Sequence, residues 1–359
     1  MSQDLMDLYT DYLISSFGQT TATGLSSLLD GRLSHDQITT FLSESCFDSK
    51  SLWLYSKSRV RQLEKSLEPG VLIIDDTISE KPYSDENAIV CYHWDHSKGC
   101  HIKGINLLNC LYENQGIRIP IAAEIIEKSS VSADPKSAKE PRRSSVSKNE
   151  LMRQMLVSAQ KNQVFYRFVL ADSWFSSVEN MKFIKKNLDR DFVLALRSNR
   201  LAALSLSDKL MGKFVSIDSI AFPVDSPCEV YIKGLNFQVS LIKQIFTNKD
   251  GSRGELYLAC SQSSLDHSQI STLYQRRWSI EEFHKSLKSN LALEKSPARV
   301  RRSQQNHIFA SIYAFVKIET LKLRSSMNHF AIKTRLYLNA LKASFQELQR
   351  LNLIFIPLT

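Results

Sequence analysis

Three stretches of this 359-residue chain end or centre on acidic side chains that a fold could hold rigidly. VLIIDDT delivers Asp75 and Asp76, VFYRFVLAD delivers Asp172, and LYQRRWSIEEFHKSLKSNLALEKSPARVRR carries Glu281. Carboxylates are the donors that hard divalent cations prefer, and two such cations side by side can activate water and stabilise a leaving oxygen during phosphodiester cleavage. A strand-end Asp more commonly caps the turn after it, so neither Asp motif decides the chemistry alone. The residues before Asp75 and Asp76 are apolar on both faces of a strand, and alternation does not choose between the two.

The third stretch is the most specific. Tyr274, Arg277, Glu281 and Lys288 are spaced by three, four and seven residues. On one continuous helix they fall within roughly 60° of each other, as a polar stripe flanked by Trp278 and Lys285. Ile280, Phe283, Leu287 and Leu291 lie on the opposite side, so the helix is predicted to bury one face and to present an acid among bases on the other. An ordinary amphipathic helix with a solvated face is the plainer alternative, weakened by an aromatic pair among bases around a single Glu. Lys295, Arg299, Arg301 and Arg302 continue the positive charge, a density suited to a phosphate track. His284 is expected to pack or to contact DNA rather than to act as a general base.

The elements that must position these residues follow from the pattern. Residues 1–68 read as short helices, with Ser34 as an N-cap, and are as compatible with a DNA-end-binding unit as with a plain helical bundle. Residues 69–198 give three strands (VLIIDDT, IKGINLLNCLY, IRIPIAAEII), then helix, strand, helix and strand, interrupted at 129–148 by a Ser-, Pro- and base-rich surface loop. Residues 199–265 read as a β-rich insertion. Residues 266–325 carry the long acidic helix and the remainder of the core, and 326–359 a helical C-terminal region. This is the α/β order of a ribonuclease-H-like catalytic core with a β-rich insertion, plus a helical N-terminal domain and a helical C-terminal region.

Bulk properties narrow the class. A formal net charge of +9 and a pI near 9.1 favour polyanionic partners. The six cysteines have no CxxC spacing, which favours reduced thiols in a cytoplasmic, nucleoid-associated protein over a disulfide scaffold. No apolar run approaches the length needed to cross a bilayer, and no apolar leader is visible, so neither export nor a membrane partner is expected. Cys91, His93, His96, Cys100 and His101 lie close together but fit no standard zinc spacing, and a loop at the edge of a site is the preferred reading.

The segment with Tyr274, Arg277, Glu281 and Lys288 resembles the signature of DDE transposases of the insertion-sequence-four group, and VLIIDDT and FVLADSWF resemble that group's two Asp motifs. Together these motifs span residues 71–302. The resemblance implies Asp76, Asp172 and Glu281 as catalytic carboxylates holding two Mg²⁺ or Mn²⁺ ions, and it selects Asp76 over Asp75. It further implies that Tyr274, Arg277 and Lys288 grip DNA phosphates, with Trp278 stacking near a base, in a homodimer acting on terminal inverted repeats and target DNA. One departure is the lack of Trp within 199–265, where Phe214, Tyr231, Phe237 or Tyr257 would have to substitute; a hairpin step is therefore not implied firmly. A ribonuclease-H-like nuclease or resolvase without strand transfer, and a catalytically silent DNA-binding remnant, are the competing readings.

Overall fold

The computed structural model describes residues 2–95, 98–131, 142–223, 225–247 and 250–354. Helices α1 (Ser2–Ser15), α2 (Ala22–Leu28), α3 (His35–Glu44) and α4 (Ser49–Glu64) come first. Strands β1 (Gly70–Glu80), β2 (Cys91–Asp95), β3 (Cys100–Asn114) and β4 (Ile117–Ile125) follow, then the short pair β5 (Ser130–Val131) and β6 (Arg142–Arg143). Next are α5 (Lys148–Lys161), β7 (Tyr166–Ala171), α6 (Val178–Lys182), which runs on as a π-helical turn, β8 (Asp191–Leu196), β9 (Leu201–Ala203), α7 (Leu206–Leu210) and β10 (Val215–Ser216). The chain continues with β11 (Cys228–Ile232), β12 (Val239–Thr247), β13 (Arg253–Cys260), α8 (His267–Gln275), α9 (Trp278–Asn290), α10 (Arg301–Ser325) and α11 (His329–Ile354).

Two compact units result. One comprises Met1–Tyr55, Ile78–Ile105 and Glu282–Thr359, the other Ser56–Thr77 and Asn106–Glu281. In the first, the short N-terminal helices start where capping residues stop the chain from extending. Ser34 and Gln37 form a reciprocal capping box at α3, which satisfies two donors at the helix start. Helix α10 is buried along most of its length, and its polar side chains are answered individually. Asn306 donates to the carbonyls of Leu42 (2.8 Å) and Ser45 (2.7 Å), and His307 lies between Tyr9 Oη and Ala292 O, both at 2.9 Å. Burial holds the His307 imidazole down near a pKa of about 4, so it serves as a neutral hydrogen-bonding ring.

The second unit is built on a mixed sheet in the order β10-β9-β11-β12-β13-β8-β7-β1-β3, with β4 antiparallel along residues 107–114 of β3. Strands β1, β7 and β8 are parallel neighbours. The sub-order β4-β3-β1-β7-β8 is consistent with a ribonuclease-H-like core. The insertion is not a separate layer: β13 pairs antiparallel with β8, Tyr257 opposite Leu196 and Cys260 opposite Val193, so the insertion extends the same sheet. Half of the base-rich stretch expected to be a loop, residues 132–141, lies outside the described residues, and its described flanks pair as β5 and β6.

Strand β1 is central, and residues 71–74 are essentially inaccessible. Gly70 opens it because a side chain there would overlap the ring of Tyr112, itself fully buried and hydrogen-bonded to Asn114 (3.1 Å). Gly70→Ala is therefore expected to lower the unfolding free energy by about 1–3 kcal/mol, the usual cost of overfilling a packed core. Urea titration of the two proteins measures it, and an unchanged midpoint would show that the ring yields freely.

Candidate active site

The parallel register that pairs Ile74 with Ala171 carries Asp75, midway along β1, and Asp172, just past β7, to adjacent positions where the pairing of the two strands ends. Helix α9 supplies Glu281, whose carboxylate oxygen comes within 4.8 Å of one on Asp75. Arg277 bridges them, with Nη1 at 3.2 Å from Glu281 Oε1 and 3.5 Å from Asp75 Oδ2. Asp172 does what strand-end aspartates commonly do, accepting the Trp174 amide at 2.9 Å through Oδ1, and it still faces the other acids closely enough to perturb Asp75.

Asp76 is oriented differently. Its Oδ2 accepts from Asn106 Nδ2 at 2.8 Å and pairs with Lys148 Nζ at 2.7 Å. Successive strand residues point to opposite faces, and Asp75 is the one that shares Arg277 with Glu281.

Burial is the largest influence on Asp75, followed by the charges of Asp172 and Glu281; together they outweigh Arg277 and raise its pKa to about 8. Asp172 is also raised, first by burial. Four carboxylates are answered here by two cationic side chains, Arg277 and Lys148. That deficit of positive charge, with oxygen donors converging, fits divalent cations better than any neutral ligand.

The helix expected to carry the whole polar stripe is two helices. Backbone bonds tighten to i→i+3 at Arg276, Arg277, Ser279 and Ile280, which separates α8 from α9. Arg276 turns away from the acids to pair with Glu113 and to bond its carbonyl oxygen at 3.0 Å. Tyr274 accordingly lies on α8 and is buried, at 8 % exposure, with its hydroxyl pushed up to about 12 by burial and its ring 5.6 Å from the Arg277 guanidinium. Trp278 is 65 % exposed. Lys285 stands over the ring of Phe330 at 5.1 Å, and Lys288 is 3.7 Å from Glu294. Arg299, Arg301 and Arg302 are exposed, the last two opening α10. Ile280, Phe283, Leu287 and Leu291 are fully buried, the face predicted from their spacing. His284, one turn beyond Glu281, is buried as well.

The Cys/His stretch forms the β2–β3 hairpin, with Trp94 opposite His101. Among the described residues its donors make no metal-holding group, and His96 lies outside the described residues.

A sequence profile of the DDE superfamily endonucleases matches residues 2–206, more than half the chain. The chain belongs to this family. The match includes Asp75, Asp76 and Asp172 and stops before α9. A chain of the Drosophila P element transposase strand transfer complex is similar over 51 % of this chain and 36 % of that one, at 11 % identity and a TM-score of 0.25. This chain thus spans little more than a third of that protein's length, and a likeness so slight decides nothing further. No curated protein sequence matches. No helix among the described residues is long and apolar enough to cross a membrane.

For a DDE endonuclease whose acids crowd in this way, pH and metal are coupled. A carboxyl raised from 3.8 to about 8 on folding contributes stability fully below its unfolded value and loses it as pH rises through the folded one. The metal-free protein is expected to melt at progressively lower temperature between about pH 4 and pH 8, with Mg²⁺ restoring more at pH 8 than at pH 6. Asp75→Asn should flatten that fall. Thermal scans with and without chelator test this, and an equal pH slope in the variant would remove Asp75 as its source.

Proposed function

We propose that this DDE endonuclease is a DNA transposase, nicking the ends of an insertion sequence and joining them to target DNA. The observation carrying the proposal is the gathering of Asp75, Asp172 and Glu281 around Arg277, where the parallel pairing of two strands ends and on one helix. The match of Tyr274, Arg277, Glu281 and Lys288 to the insertion-sequence-four signature supports strand transfer over plain hydrolysis.

Asp172, Glu281 and the Asp75–Asp76 pair would hold two divalent cations, Mg²⁺ or Mn²⁺, which when bound supply Lewis acidity to the attacking and leaving oxygens. Within the pair, Asp75 is the ligand better aligned with Glu281, and Asp76 is kept oriented by Lys148 and Asn106. Arg277 and Lys148 neutralise part of the carboxylate charge and fix the side chains before substrate arrives, so that little reorganisation remains at the moment of reaction. Arg277, Lys288 and the exposed Trp278 are assigned to DNA, and Lys285, Arg299, Arg301 and Arg302 are proposed as further phosphate contacts. The active species is proposed to be a homodimer on terminal inverted repeats.

The test supplies labelled DNA ends, taken from the inverted repeats flanking the coding region, together with a target plasmid and Mg²⁺. Joined product is expected; cleavage with no joined product would reassign the chain as a nuclease or resolvase. Glu281→Gln and Asp75→Asn should each lower cleavage by at least about a hundred-fold, the scale of losing a preorganised electrostatic group, while end binding persists. Asp76→Asn should cost less than Asp75→Asn, and the reverse ranking would make Asp76 the metal ligand.

Arg277→Ala and Lys288→Ala should each reduce the log–log salt slope of end binding by about one, as loss of a phosphate contact requires. Unchanged slopes in a gel-shift series would take both residues off the DNA.

A further inference from the structure

Beyond the carboxylates, the C-terminal ends of β7 and β8 open into a groove that the chemistry above does not use. A cavity of about 620 Å³ at the carboxylates themselves is lined by Asp172, Arg277 and Glu255 together with Ser173, Arg197 and Tyr257. It shares Ser173 and Arg197 with a neighbouring groove of about 660 Å³, lined also by Trp174, Asn199, Arg200 and Lys233. Arg197 follows β8 as Asp172 follows β7, so the two stand at neighbouring tips of parallel strands, where open α/β sheets bind ligands.

The groove is charged on one side only. Arg197, Arg200 and Lys233 line it and no carboxylate does. Arg200 is braced by a 2.9 Å bond from Nη2 to Ser176 O, Lys233 stands 5.7 Å from the Phe214 ring, and Arg197 is exposed with no carboxylate partner among the described residues. By contrast, the cavity lined by Arg153, Lys161 and Lys182 also carries Glu150 and Glu179.

Trp174 supplies the second, independent feature. It is 45 % exposed in the groove, yet it is held in place. Its amide donates to Asp172 Oδ1, and its ring lies 5.6 Å from Lys148 Nζ, the same ammonium that pairs with Asp76. A large exposed ring set beside Arg197, Arg200 and Lys233 is the composition of a stacking platform for unpaired bases. A base pair within a duplex offers side chains its edges and keeps its faces stacked, so the ring face is matched by a single strand.

We infer that this groove receives a single DNA strand leading away from the carboxylates, its phosphates against Arg197, Arg200 and Lys233 and one base stacked on Trp174. The inference rests on the nuclease reading of the carboxylates and adds the path of the strand beside them.

The experiment uses the full chain carrying Glu281→Gln, so that DNA is not consumed, and measures fluorescence anisotropy of a labelled oligothymidylate and of a duplex of equal length. Trp174→Ala is expected to weaken single-strand binding by about five- to a hundred-fold, the range for one lost stacking contact, with Trp174→Phe retaining most of the affinity. The Arg197→Ala/Lys233→Ala pair should lower the single-strand salt slope by about 1.4, or roughly 0.7 per phosphate contact. Duplex affinity should fall less in both cases.

Wild-type-like single-strand binding by Trp174→Ala, no single-strand binding by the parent, or equal losses for duplex and single strand would each overturn the groove assignment. Failure of the wild-type chain to cleave DNA with Mg²⁺, while these binding differences persist, would instead overturn the nuclease reading and leave the groove standing.

Discussion

Mutual repulsion among four carboxylates is the constraint that shapes the second unit. Asp75 is pushed to about 8 by burial and by Asp172 and Glu281, so the fold holds these acids together against their charge. The opposing force is covalent and apolar. Residues 71–74 are buried between parallel and antiparallel neighbours, close-packed on both faces so that the strand has little room to shift. Tyr112 over Gly70 fixes the start of that strand, and the Asp pair follows the buried run midway along it with little freedom to move apart.

The same constraint accounts for the break between α8 and α9. A continuous helix would present Arg276 and Arg277 about 100° apart, and only one of them would reach the acids. The tightened turn lets each serve a different carboxylate. Arg276 goes to Glu113, which is almost fully buried on β3 and also accepts the Gly116 amide at 2.8 Å, and Arg277 goes to Asp75 and Glu281. The turn thereby pins the start of α9 to the sheet on one side and to the site on the other.

Much of this was legible because the strongest signals were local. Apolar β-branched runs ending in Asp gave β1 and β7, and the 3.6-residue period of Ile280, Phe283, Leu287 and Leu291 gave the buried face of α9. What escaped was tertiary. Nothing in the segment RRW signals a helix break, and Glu113, the partner that Arg276 meets there, lies more than 160 residues away. The choice between Asp75 and Asp76 depends on the lateral register of β1 with β7, which alternation in an all-apolar strand cannot encode. The groove escaped for the same reason, since Arg197, Trp174 and Lys233 belong to three separate segments joined only by the sheet.

The insertion gains a role from its attachment. Because β13 continues the sheet from β8, Tyr257 is set across from Leu196, beside the cavity that contains Asp172 and Arg277. Lys233, between β11 and β12, reaches the groove next to Trp174. A β insertion packed as an independent module would leave these side chains free to drift relative to the carboxylates. Built as an extension of the catalytic sheet, it places cations at the strand tips with the rigidity of backbone pairing. That geometry fixes Lys233 and Tyr257 relative to the carboxylates, in an insertion that carries no Trp of its own.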